Sequence, residues 1–143
     1  MLAKGSKLYT ILNSSCPRCQ DAPLFKNGNP YGKAGLKMHD ECEHCGESFK
    51  REPGFYFGAA YVSYGLTVAL WVAVFVALMC FDWWGLISFS FYENSNTFFL
   101  TGLVALIVAL PILYRLSRAI WISTFVKYEG SDAVKKVRLN RPQ

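Results

Sequence analysis

Between Phe55 and Phe81 the chain runs for twenty-seven residues without an Asp, Glu, Lys, Arg or His. A helix in the core of a soluble protein seldom exceeds about twenty residues and normally carries a polar stripe. An uncharged run of 18 or more is instead the signature of a membrane span. At 1.5 Å per residue such a helix reaches near 40 Å, longer than the hydrocarbon core, so it is expected to tilt or project. Tyr56, Tyr61 and Tyr64 crowd its first turns, and Phe81, Trp83 and Trp84 its far end, with Asp82 as the stop. Aromatic clusters of this kind mark the two water interfaces.

A second, shorter apolar run follows. Phe98 to Tyr114 is uncharged, and Thr97 extends it to an expected span of about 97–114. Pro111 near its end is tolerable in a membrane helix, where neighbours re-satisfy the freed carbonyl. Beyond it, Arg115 and Arg118 interrupt an apolar pattern that continues to Val126. Residues 115–128 therefore either lie in the interface as an amphipathic helix or carry the second span onward. The two spans would form a hairpin with an outer loop at 82–96. Small residues repeat on one face of each, Ala59, Ser63 and Thr67 on the first and Gly102, Ala105 and Ala109 on the second. Such stripes permit close helix approach.

Charge sets the expected orientation. Eight Lys and Arg precede the first span, seven follow from Arg115 onward, and Asp82 to Thr97 has none. That is the positive-inside distribution of a two-span protein with both termini in the cytoplasm. The net charge of +5 is thereby assigned to topology and contact with anionic lipid, with no nucleic-acid partner expected. Lys4 and Lys7 are followed only by Leu8-Tyr9-Thr10-Ile11-Leu12, short of the roughly 7–15 apolar residues of a signal core. The N-terminus is read as mature and cytoplasmic, and Asn13-Ser14-Ser15 before Cys16 is a poor match to a lipidation site.

The segment before the first span carries the chemistry. Cys16-Pro17-Arg18-Cys19 and Cys42-Glu43-His44-Cys45-Gly46 form C-x2-C-x22-C-x2-C. Two cysteines three apart in a tight turn direct both sulfurs at one ion, and two such knuckles complete a tetrahedral thiolate site. The expected metal ligands are Cys16, Cys19, Cys42 and Cys45, and the expected ion is a structural zinc, with iron as the lesser alternative. The spacer is slightly longer than the usual range of roughly 15–20. Asn27-Gly28-Asn29-Pro30 and Tyr31-Gly32 supply the turn signals that a hairpin or pair of short strands would need there.

Disulfides do not suit a reduced cytoplasmic head. A thioredoxin-like pair would sit alone on a helix of a larger fold. His39 and His44 are spare donors beside a shell already filled by four thiols. Cys80, at the end of the first span, is expected to be a small buried hydrophobe. Asp40, Glu41, Glu43 and Glu47 read as a solvated face, and no catalytic carboxylate pair, Ser/His/Asp set or phosphate loop accompanies them. A closed four-thiolate shell leaves no open position for catalytic water, so the chain is not expected to be an enzyme. With about fifty residues outside the membrane, the head buries little apolar area and depends on metal for folding.

The expected fold class is thus membrane α. A zinc-ribbon-like head of short strands and knuckles occupies 1–52, a two-helix hairpin with its extension 53–128, and a basic tail 129–143. The chain resembles the bacterial domain-of-unknown-function family numbered 983. The resemblance rests on Cys16-Pro17-Arg18-Cys19 with Leu24-Phe25, and on Cys42-Glu43-His44-Cys45-Gly46. It extends through Gly54-Phe55-Tyr56-Phe57-Gly58-Ala59-Ala60-Tyr61 and Arg115-Leu116-Ser117-Arg118-Ala119-Ile120-Trp121, covering roughly 14–128. It implies a zinc-ribbon-like segment with two spans, and a genomic association of some relatives with respiratory oxidase genes. Gln20 departs from the Gly expected after the first knuckle, where Gly would ease a tight turn.

Two functional readings follow. In one, the head is a docking or assembly module for a membrane-protein complex in the bacterial inner membrane, with lipid and a membrane protein as partners. In the other, it is a thiol-based metal or redox sensor, or a metal-handling protein, with exposed and labile cysteines. A homo-oligomer is a further partner class. A transport subunit is disfavoured because neither span has an ionisable residue at its middle.

Overall fold

A computed structural model describes residues 4–50, 52–88, 90 and 94–130. Within them three helices follow in order: α1 (Lys7–Asn13), α2 (Phe57–Trp83) and α3 (Ser95–Phe125). Ser6 caps α1 by accepting from the Leu8 N–H, and Ser14 ends it in a left-handed conformation. The expected outer loop at 82–96 falls partly, and the basic tail at 129–143 mostly, outside the described residues.

The α2 helix starts two residues later than the uncharged run and ends two residues beyond it. Gly54, at φ 95°, turns the chain into the helix, with the Phe57 N–H bonded to the Gly54 carbonyl at 2.9 Å. At the far end Gly85, at φ 70°, accommodates the turn closed by its N–H on Asp82 O and by Leu86 on Phe81 O. Asp82 therefore belongs to the last helical turn, where its backbone carbonyl closes the turn.

α2 and α3 are long and apolar enough to cross a membrane. They pack antiparallel. Trp71 meets Phe98 at 5.3 Å between ring centroids and lies over Gly102, Phe75 meets Phe98 at 5.9 Å, and Trp121 lies over Gly58. Continuing the Trp71–Gly102 register places Ala59 level with Tyr114 and Leu78 level with Ser95. Those levels are about 30 Å apart, the thickness of a hydrocarbon core. The small residues sit on the paired faces: Ala59 and Gly102 are buried, and Ser63, Thr67, Ala105 and Ala109 are half-buried. Side chains on the opposite faces, among them Val68, Val72, Val76, Leu103, Ile107 and Leu110, are exposed and apolar.

The alternatives for residues 115–128 resolve into one. α3 continues without a break through Pro111 and past Arg115 to Phe125, so the stretch carries the second helix on instead of forming a separate interfacial helix. The physical reason is burial. Ala119, Ile122 and Val126 recur at helical spacing and form one core with the four cysteines, Ala22, Leu24, Phe25 and Phe49. The cysteine-bearing head thus has no separate core of its own. It is completed by the last turns of α3.

The expected short strands do not form among the described residues. Antiparallel pairing is confined to three isolated bridges, Ser15↔Pro23, Phe25↔Met38 and Glu41↔Ser48. One bridge closes each knuckle, and the third joins the two arms of the spacer, where Lys26 N bonds Lys37 O and His39 N bonds Leu24 O. Each pairing is cut short locally. The left-handed Ser14 that ends α1 bounds the first, and the Gly-, Asn- and Pro-rich stretch from Asn27 turns the chain away after the third.

Candidate metal centre

Each knuckle is a tight turn built by its own backbone. Cys16 N donates to Ala22 O at 2.8 Å and Gln20 N to Cys16 O at 2.9 Å; Cys42 N donates to Glu47 O and Gly46 N to Cys42 O, both at 2.8 Å. In both turns the residue after the second cysteine is left-handed, Gln20 at φ 59° and Gly46 at φ 69°. Glycine adopts that conformation freely, whereas a residue with a Cβ is strained there by roughly 1–2 kcal/mol. The Gln20 side chain offsets the strain. Its Oε1 accepts from Gly5 N at 2.7 Å, and its Nε2 donates to Ser6 O and Thr10 Oγ1, both at 3.0 Å. The departure from glycine is therefore what fastens α1 to the first knuckle.

The two knuckles bring all four expected ligands together. The sulfurs of Cys16, Cys19, Cys42 and Cys45 lie within 4.8 Å of one another, and all four residues are buried. Cys16 and Cys45 are 3.7 Å apart at sulfur, as are Cys19 and Cys42. Four thiolates bonded at about 2.3 Å to a tetrahedral zinc stand about 3.8 Å from one another. A disulfide requires about 2.05 Å, and all four cysteines are free. The donors and their spacing fit a metal ion held by four sulfurs.

Among the four thiols the protons are shared unequally. Hydrogen bonding from Cys16 pulls Cys42 down to about 4, helped by the backbone N–H groups of Cys45 and His44. Cys16, the donor in that contact and itself buried, is pushed up, and burial pushes Cys45 up to about 12. A metal entering this site displaces protons from buried thiols, so its uptake releases protons.

Arg18, between the first two cysteines, ties the knuckles to each other and to the end of α3. Its guanidinium pairs with Glu47 at 3.1 Å and with Glu129 at 2.9 Å, and its carbonyl accepts from Glu129 N and Gly130 N. Glu47 is consequently half-buried and paired, an exception to the solvated acidic face expected around the second knuckle. Arg115 and Arg118 dock the head from the helix side. Arg115 lies 4.4 Å over the Phe25 ring and donates to Gly28 O at 2.8 Å; Arg118 lies between Tyr56 and Tyr114, with centroid distances of 5.2 and 4.2 Å. None of these arginine roles was evident from spacing, because each joins segments far apart in the chain.

The remaining candidates take separate places. His39 pairs through Nδ1 with Glu43 at 3.6 Å, outside the four-sulfur cluster. His44 and Asp21 are exposed, but their donor atoms lie within 4.8 Å of the Cys19 sulfur and of each other. Cys80 is exposed on α2, a correction to its expected burial, because that turn of α2 presents it away from α3.

No curated protein and no solved structure matches the chain. A family model described as "Protein of unknown function (DUF983)" matches residues 33–125, from the spacer through the second knuckle to the last residue of α3. The matched stretch therefore holds Cys42, Cys45, both long helices and the α3 face that completes the head, and by it the chain belongs to that family.

Proposed function

We propose that this chain is a membrane-anchored zinc-ribbon-like protein that serves as a docking or assembly factor for a membrane-protein complex, with respiratory complexes the first candidates. Its anchor is the α2–α3 hairpin in the bacterial inner membrane. The clusters of basic residues on either side of the hairpin support cytoplasmic termini. The single observation that carries the reading is the shared core of the four cysteines with Ala119, Ile122 and Val126 of α3. A closed thiolate site leaves no ligand position for chemistry. Built into the end of a membrane helix, it instead fixes a polar surface at a set height and orientation, as a docking element requires. Zinc suits this role because it is redox-inert and accepts four thiolates without a geometric preference of its own.

The test is purification in mild detergent from native membranes, for the wild-type chain and for Cys42→Ser, with metal content and co-purifying proteins measured together. A stoichiometric membrane partner present with zinc and lost with it supports the docking role. A zinc-loaded protein that emerges alone counts against it. One observation favours metal handling as a second reading: Asp21 and His44 stand at the rim of the cluster beside Cys19. Thiol titration in native membranes separates the two, since docking requires slow, metal-protected thiols and sensing requires fast, reversible reaction.

A further inference from the structure

Where the head meets α3, a cleft of about 450 Å³ opens between α1, the spacer loop and the helix. Its wall is mostly apolar, with Ile11, Leu12, Phe25, Pro30 and Ile112 around a single cation, Arg115. Leu12 and Ile112 are exposed at its lip, 65% and 47%, whereas Arg115 is only 8% exposed. The Nε of Arg115 is buried without a hydrogen-bond partner. Among the described residues no carboxylate pairs with it; Asp21, Glu47, Glu129 and Glu43 are engaged with Lys4, Arg18 and His39 instead. A buried cation lacking a counter-charge is an unusual feature, since buried charges are normally paired.

The level of this cleft identifies what can supply the missing charge. Arg115 is the first charged residue after the uncharged run of α3, so in a bilayer it stands where hydrocarbon gives way to headgroups. The spacer loop flanks the cleft from the head side and extends past it, the Tyr31 hydroxyl donating to the Val108 carbonyl of α3, about 10 Å nearer the membrane centre than Arg115. On α1, Leu8 and Leu12 are exposed, facing no protein. The result is an apolar lip opening toward acyl chains, with a guanidinium at phosphate height behind it.

We infer that this cleft is a binding site for one anionic glycerophospholipid, its phosphate neutralising Arg115 and one acyl chain lying along Leu12 and Ile112. The inference rests on the membrane placement proposed above. It assigns Arg115 two roles on different sides of one planar group: stacking on Phe25 holds the head, and the edge that bears the unpartnered Nε meets the lipid phosphate. Guanidinium is well matched to phosphate because its donors form a planar fork.

The test uses the full zinc-loaded chain in nanodiscs of phosphatidylcholine alone or mixed with phosphatidylglycerol, read by native mass spectrometry of the lipid retained on release. The wild-type chain should retain phosphatidylglycerol over phosphatidylcholine by roughly tenfold, the scale of one charge-assisted contact. Arg115→Gln should abolish that preference. Because Arg115 also holds Gly28, a second variant guards against misfolding. Leu12→Glu places a carboxylate at the lip without touching the core, and should remove the preference while zinc content stays at the wild-type level. Retention of the tenfold preference by Leu12→Glu overturns the inference, as does equal retention of both lipids by the wild-type chain. Thermal protection in phosphatidylcholine discs by inorganic phosphate alone also overturns it, since the cleft would then hold a soluble anion. Failure of the chain to enter nanodiscs at all would refute the membrane placement itself and is distinguishable from these results.

Discussion

Replacing Cys42 by serine tests how much of the head is held by metal. The large apolar side chains buried in the head itself are Leu24, Phe25 and Phe49, each no more than 1% exposed. At about 1.5–3 kcal/mol apiece their burial is worth roughly 5–9 kcal/mol before any chain entropy is set against it. A structural zinc in a small thiolate domain contributes on the order of 10 kcal/mol or more. The metal term is therefore larger than the contribution of the head's own large side chains, and its loss should leave the head unfolded. The α2–α3 pair has its own interface along Ala59, Trp71 and Gly102 and should survive. Trypsin reports both outcomes at once. The Arg18 side chain is only 20% exposed and is held by Glu47 and Glu129, so cleavage there needs the head to open. In nanodiscs, Cys42→Ser should be cut at Arg18 at least about a hundredfold faster than the wild-type chain, while the α2–α3 fragment stays intact. Wild-type protection at Arg18 in a zinc-free variant would refute the reasoning, and would mean that packing against Ala119, Ile122 and Val126 suffices.

Three further outcomes are expected. X-ray absorption of the zinc-loaded protein should fit four sulfur ligands at about 2.3 Å; a nitrogen in the shell would indicate that His39 or His44 has displaced a thiolate. At the first knuckle, Gln20→Ala keeps the left-handed strain but loses the bonds to Gly5, Ser6 and Thr10, whereas Gln20→Gly loses the bonds and relieves the strain. The alanine variant should be less stable than the glycine variant by about 1 kcal/mol, read as a lower thermal midpoint of the zinc-loaded protein; equal midpoints would remove the strain argument. A Cβ at Gly102 would overlap the Trp71 ring, so Gly102→Leu should destabilise the helix pair by about 1–3 kcal/mol in detergent. Unchanged detergent stability would show that the two helices do not pack through this face.

Local patterns carried much of this protein. The uncharged run from Phe55 places α2 to within two residues at each end, because the absence of charge over such a length is a property of the segment itself. The four-cysteine cluster was legible for a similar reason. C-x2-C spacing determines how two sulfurs converge within one turn, whatever surrounds it. The expectation of strands failed because turn signals between the knuckles locate reversals without saying how far pairing continues, and here it stops after one bridge at each place.

What only the tertiary structure decided lies at the junction of head and helix. Residues 115–128 read equally well as an interfacial helix or as a continuation of α3, since an apolar face with interspersed arginines suits lipid and protein alike. The choice was made by Ala119, Ile122 and Val126 burying against cysteines about 74–110 residues earlier in the chain. The partners of Arg18 and Arg115 were hidden for the same reason: Arg18 meets Glu129 across 111 positions and Arg115 meets Gly28 across 87. The sequence by itself determined which segments are apolar enough to span and which thiols can share an ion, both consequences of short-range composition and spacing. The long-range packing of the chain determined that the head and the second long helix are one unit, because a segment too small to bury its own core must borrow a face from elsewhere.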